Sequence, residues 1–243
     1  MGTITTRSSF AVAGIITAAL AISACGSDDS SSSTSTSTAT GITATKDAAI
    51  AATVPSKISS AGTLSVASDA SYAPMEFVKD GTKDIVGADV DLATALGQVM
   101  GLKADVQNAT FDAIIPGLAS GKYDIGMSSF TDTKEREATV DFVTYFEAGT
   151  SFFGKKGGPA PDGLADLCGL SVAVQKGTTQ ADDATAQAEK CPADKKLTLL
   201  VFPDQNGANS AVVSGRAQIS MADSPVAAYQ VTQSDGQLEL VGT

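Results

Sequence analysis

Ser171-Val172-Ala173-Val174-Gln175, followed by Lys176-Gly177-Thr178-Thr179-Gln180, joins a β-rich run to a glycine turn and a helix opening. The branched residues suit a strand, Gly177 suits the turn, and either threonine can cap the helix that the pattern predicts from Gln180 to Lys190. Repeated along a chain, strand-turn-helix makes βαβ units and mostly parallel sheets flanked by helices. The scheme does repeat. Leu197 to Phe202 reads as a strand, Ala208 to Ser214 as a helix, and Ile219 to Ala222 as a strand. Upstream, Leu64 to Ala67, Lys103 to Val106 and Tyr123 to Met127 read as strands. A helix over 89–100 sets Leu92, Leu96, Val99 and Met100 on one face, and another is expected around Ile114 to Ala119.

In open α/β sheets a ligand sits beyond the carboxyl ends of the strands. Four loops occupy such positions here: Ser68 to Phe77, Ser128 to Arg136, Gln175 to Gln180, and Asp223-Ser224-Pro225. They bring hydroxyls, one arginine, two carboxylates and an aromatic to the same side of the fold. No two of these make a catalytic pair. Together they describe a pocket for a zwitterion.

Composition narrows the field. The 243 residues hold 16 Lys+Arg against 27 Asp+Glu, a formal charge of −11, whereas a nucleic-acid binder needs a basic face. There is no histidine, which removes the commonest general base and metal ligand. No cofactor or metal is expected.

The amino terminus reads as a targeting segment. Arg7 precedes an apolar run from Phe10 to Ile22, too short for a spanning helix and laid out like a secretory signal over residues 1–24. Ile22-Ser23-Ala24-Cys25 looks like a bacterial lipobox, in which Cys25 is lipidated. An ordinary signal peptide with an incidental cysteine is the alternative. Over 25–57 a polar stretch that includes the Ser/Thr tract Ser30 to Thr38 is expected to be a flexible tether. With Cys25 taken by lipid, Cys168 and Cys191 remain for a disulfide in an exported chain.

The residues carry a family resemblance. Gly87-Ala88-Asp89-Val90-Asp91-Leu92, Phe111-Asp112-Ala113-Ile114-Ile115-Pro116-Gly117-Leu118, Thr133 with Arg136, Gly177-Thr178-Thr179, and Gly215-Arg216 with Ala222-Asp223-Ser224-Pro225 follow one another in the order found in bacterial extracellular solute-binding proteins of family 3. From about residue 60 onward the chain resembles that family, which serves polar amino-acid ABC importers. The resemblance implies a type II periplasmic-binding-protein-like fold of two lobes with a hinge, lobe 1 over 58–152 and lobe 2 over 153–243. It also implies a return segment that completes lobe 1. This return is missing from the residues quoted, and without it the chain is expected to be less stable and to bind weakly or not at all.

Roles follow from the same resemblance. Arg136 would clamp the ligand carboxylate, since a guanidinium forks onto both oxygens; a surface arginine in a charged run is the alternative. Thr178 and Thr179 would offer helix amides to the same carboxylate, or serve only as caps. Asp223 would take the α-ammonium, or cap the helix after it. Ser128, Ser129 and Thr131 would supply hydroxyl and backbone contacts, and Tyr72 and Phe111 aromatic walls. Asp69 would reach the distal end of the ligand, favouring a basic or amide side chain such as arginine, lysine or glutamine. The expected partners are that amino acid, an ABC permease and, through the lipid, the outer face of the cell membrane, with the protein a monomer. Two other readings compete: a dehydratase on the same scaffold, and a sensor ectodomain.

Overall fold

A computed structural model describes residues 41–243. The signal segment 1–24, Cys25 and the Ser/Thr tract lie outside the described residues. The elements, in chain order, are α1 (Ala48–Thr53), α2 (Ser56–Ala61), β1 (Thr63–Ser68), β2 (Ser71–Tyr72), β3 (Glu76–Val78), β4 (Ile85–Val86), α3 (Ala88–Met100), β5 (Lys103–Asn108), α4 (Phe111–Ala119), β6 (Ile125–Gly126) and α5 (Lys134–Glu137). After these come β7 (Thr150–Lys155), β8 (Ser171–Gln175), α6 (Thr179–Lys190), β9 (Thr198–Phe202), α7 (Gln205–Val213), β10 (Ile219–Asp223), α8 (Ser224–Thr232) and β11 (Leu238–Gly242).

The first lobe holds a parallel sheet in the order β5-β1-β6 and a small antiparallel sheet β2-β3-β4. The second holds one sheet, β11-β7-β10-β8-β9. Its βαβ part is parallel as expected, but β7 runs antiparallel to both β10 and β11. All of β7 pairs within this sheet, so a lobe boundary at 152/153 would cut a strand. The crossing between lobes precedes Thr150.

Each lobe has its own core. Leu64, Val66, Ala93, Leu102 and Met127 pack together in the first; Phe152, Leu167, Val172, Val174, Ile219 and Met221 do so in the second. Fully burying such a side chain stabilises by about 1.5–3 kcal/mol. A third cluster spans both lobes and joins Tyr72, Met75 and Phe111 to Phe153, Ala208 and Val226. A disulfide joins Cys168 to Cys191, tying the loop before β8 to the end of α6. A bridge closing a loop of this size stabilises by roughly 3 kcal/mol on chain-entropy grounds.

The tether reading fails at its carboxyl end. Asp47 caps α1 through its side chain, and its N–H donates to Val99 O at 2.9 Å. Val54 and Ile58 pack beside Leu92, Leu96 and Met100. Helix α1 therefore docks on α3 and α2 on β1, because a few apolar residues find apolar surface to cover. Among the described residues no helix is long and apolar enough to cross a membrane.

Candidate ligand cleft between the lobes

The carboxyl ends of β1, β6, β8 and β10 converge on a narrow cavity between the lobes. It is lined by Tyr72, Phe111, Ser129, Thr131, Arg136, Thr178, Thr179, Gln180 and Asp223. Eight of these nine come from the residues singled out in the sequence. Arg136 lies in the short α5, capped by Thr133, whose hydroxyl accepts from Arg136 N. Its guanidinium donates to Thr131 O at 2.7 Å and, across the cleft, to Gly177 O at 3.0 Å. It also lies over the rings of Phe111 and Phe130, 5.6 and 5.2 Å from their centroids. Those rings stack at 4.1 Å, so the cation is aimed by carbonyls on one side and π faces on the other. Burial lowers its pKa, yet a guanidinium stays charged in a protein.

Thr178 caps α6: its hydroxyl accepts from Ala181 N at 3.1 Å and donates to Gln175 O at 2.8 Å. The cap reading thus holds, and Thr178, Thr179 and Gln180 at the amino end of α6 line the same cleft. Gly177 must be glycine, with φ +79° and a Cβ that would stand 3.0 Å from Asp112 of the other lobe. Asp223 sits at the amino end of α8 but makes no side-chain capping bond. Instead it accepts from Gln180 Nε2 at 2.7 Å. Burial pushes its carboxyl above the ordinary range, opposed by the Gln180 hydrogen bond and the charge of Arg136. Gln180 also donates to Thr150 Oγ1. It was quoted in its loop without a role; its place in the first turn of a helix that faces the cleft was the signal.

Ser129 has φ +51°, a left-handed backbone that is uncommon outside glycine. Its N–H donates to Asp89 Oδ2, and its hydroxyl has no partner within the protein. Tyr72 OH is likewise buried without a partner. Both are free to meet a ligand.

Two singled-out residues stand behind the wall instead of on it. Ser128 is spent on the frame: its hydroxyl accepts from Asp69 N and donates to Glu76 Oε1. The Asp69 carboxylate accepts from Ser71 Oγ at 2.6 Å, Phe111 N at 2.9 Å and Gln175 Nε2 at 2.8 Å. Burial raises its pKa and those three donors oppose the rise. Further contacts close the lobes on each other, Lys176 Nζ to Asp112 Oδ2 at 2.8 Å and Gln205 N to Ser71 Oγ at 3.1 Å.

Beneath the cavity floor lies a buried acid pair. Glu76 and Asp89 are both buried, and one oxygen of each carboxyl group has no partner. Asp89 Oδ2 also accepts from Tyr145 OH at 2.6 Å. Burial, then the Asp89 charge, holds the Glu76 pKa well above its ordinary 4.5, so the folded protein keeps a proton there that the unfolded chain releases. Stability from that proton is present below about pH 4.5 and is withdrawn as pH rises toward the elevated folded value. Asp69, Asp89 and Asp223 are shifted the same way. Melting temperatures measured across this range should fall with pH in the wild type and fall less steeply in Glu76→Gln; equal slopes would refute the raised Glu76 pKa.

Among the described residues no group of His, Cys, Asp and Glu is placed to hold a metal ion.

Known proteins share this architecture. Arginine-binding protein ArgT of Corynebacterium glutamicum is 36% identical over 196 residues, 79% of this chain and 64% of its own length. The chain thus spans just under two thirds of that curated relative. The arginine-bound structure of a truncated ArgBP from T. maritima superposes with TM-score 0.71 at 31% identity, covering 78% of this chain and 86% of that one. The ancestral amino acid-binding protein AncCDT-1, a precursor of cyclohexadienyl dehydratase, gives TM-score 0.68 at 38% identity over 76% of this chain and 79% of its own. The family model for bacterial extracellular solute-binding proteins, family 3, matches residues 64–223, which takes in both lobes and every wall of the cleft, and the chain belongs to that family.

Proposed function

We propose that this chain is the solute receptor of an ABC importer and captures a polar or basic amino acid between its lobes by hinge closure. One observation carries the reading. Arg136, the amino end of α6, Asp223 and the free hydroxyl of Ser129 line a single cavity between two lobes. A fork-shaped cation and helix amides suit an α-carboxylate, and a carboxylate across from them suits an α-ammonium. Tyr72 and Phe111 flank the side chain. The ligand class, arginine, lysine or a glutamine-like amide, draws support from relatives named for binding arginine.

A dehydratase is the second reading, favoured by the likeness to AncCDT-1. That neighbour is itself described as an amino acid-binding protein, and Asp223 is the one carboxylate among the residues that line the cavity. Binding without catalysis fits the cleft better. The test is a thermal-shift screen against the common amino acids: basic or amide ligands should raise the melting temperature, and a flat response to all of them would sink the proposal.

The anchoring is part of the same proposal: residues 1–24 direct export, Cys25 is lipidated, and the polar stretch that follows holds a monomeric receptor near its permease. Cys25→Ala, expressed in a bacterial host, should move the chain from the detergent phase to the aqueous phase in a Triton X-114 partition. Unchanged partitioning would remove the anchor.

A further inference from the structure

Residues 141–149 carry the chain from α5 in the first lobe to β7 in the second without regular structure. Among the described residues no backbone-to-backbone hydrogen bond involves 141–148. The stretch is also exposed, Val143 at 89% and Phe146 at 53%. Such a segment has little of its own to hold it in place. Two hydrogen bonds pin it instead. Tyr145 OH donates to Asp89 Oδ2 of the first lobe at 2.6 Å. At the other end Gly149 O accepts from Ser224 N of the second lobe at 2.7 Å.

Each pin abuts the cleft. Ser224 directly follows Asp223, which lines the cavity. On the first lobe, the Asp89 oxygen that takes Tyr145 OH also takes the N–H of Ser129, at 3.3 Å. Asp89 Oδ1 is buried without a partner, so the short bond from Tyr145 is what aims Oδ2 at Ser129. Ser129 needs that aim. Its φ of +51° is a conformation that a serine keeps only where its surroundings hold it. Its hydroxyl is buried, lines the cavity and has no partner within the protein.

We propose that Tyr145 is a positioning residue: acting through Asp89, it holds Ser129 in the conformation that presents its hydroxyl to the ligand. This rests on the reading of the cleft as an amino-acid site. One carboxylate oxygen thereby ties the interlobe crossing to the cleft wall. Bending between the lobes is left to residues 146–148, between the pins, and the first lobe's wall stays formed while they move. A ligand then meets Ser129 already set, and little of its ordering remains to be done on binding.

The experiment is a double-mutant cycle in ligand affinity. Arginine, or whichever amino acid the thermal-shift screen identifies, is titrated calorimetrically into wild type, Tyr145→Phe, Ser129→Ala and the double variant. A melting curve is recorded for each. Tyr145→Phe removes one oxygen and keeps the ring. Each single variant should bind about three- to tenfold more weakly, the range for one lost hydrogen bond. The double variant should bind no more weakly than Ser129→Ala, because Tyr145 acts through Ser129. A tyrosine that merely supports the fold would lower the melting temperature, and its loss would multiply with that of Ser129→Ala; that result overturns the proposal. Wild-type affinity in Tyr145→Phe overturns it too. Wild-type affinity in Ser129→Ala refutes this inference alone, whereas wild-type chain that binds no amino acid refutes the receptor reading and this inference with it.

Discussion

Arg136→Ala is expected to abolish amino-acid binding with little change in melting temperature. The guanidinium is the only cation among the residues that line the cavity, and it is already oriented by Thr131 O, Gly177 O and two stacked rings. Little of its ordering therefore remains to be done when a carboxylate arrives. Truncating one partner of a desolvated, hydrogen-bonded charge pair costs about 2–5 kcal/mol. The fold should survive because α5 has four residues, none of them buried, and sits outside the core clusters. Arg136→Lys is the sharper companion. It keeps the charge but not the fork, and should recover only a fraction of the loss. Calorimetric titration decides both, and near wild-type affinity in Arg136→Ala would remove the clamp.

Asp223→Asn is expected to have the next largest effect. Asparagine preserves size and still offers an oxygen to Gln180, so the wall stays in place while the negative charge goes. An α-ammonium then meets a neutral group in a closed cleft, at a cost again of about 2–5 kcal/mol. The raised pKa of Asp223 gives a second signature. Binding needs the ionised carboxylate, so wild-type affinity should weaken as pH falls toward that raised value. The asparagine variant should be weak throughout and lack this dependence. A variant that binds as the wild type does would return Asp223 to a structural role.

The regular part of the fold was legible because pattern alone determines it. The run from Ser171 to Lys190 announces strand, turn and helix by residue type, and the structure places β8 and α6 within a residue of that reading. The strands β2, β3 and β4 have two or three residues each, too few to show a period, and exist because antiparallel pairing holds them. Residues 44–57 read as part of the tether from their polarity, although Asp47 bonds to Val99 of α3 and Val54 packs against the core of the first lobe. In the cleft, position was legible and direction was not. Residues after strand ends do gather at the cavity, as the topology requires. Which way a carboxylate turns depends on donors far away in sequence. Asp69 faces Gln175 from 106 residues further along, and nothing local to Asp69 could have shown it.

The central claim is that one cleft grips both ends of an amino-acid zwitterion, and blocking each end in turn tests it most directly. Arginine, agmatine and Nα-acetylarginine share a guanidinium; the second lacks the carboxylate, and the third lacks the ammonium. Titrated into the wild-type chain, arginine should give a saturable one-to-one isotherm, and neither analogue should bind or compete. Agmatine or acetylarginine binding as tightly as arginine would contradict the account, because Arg136 or Asp223 would then hold nothing.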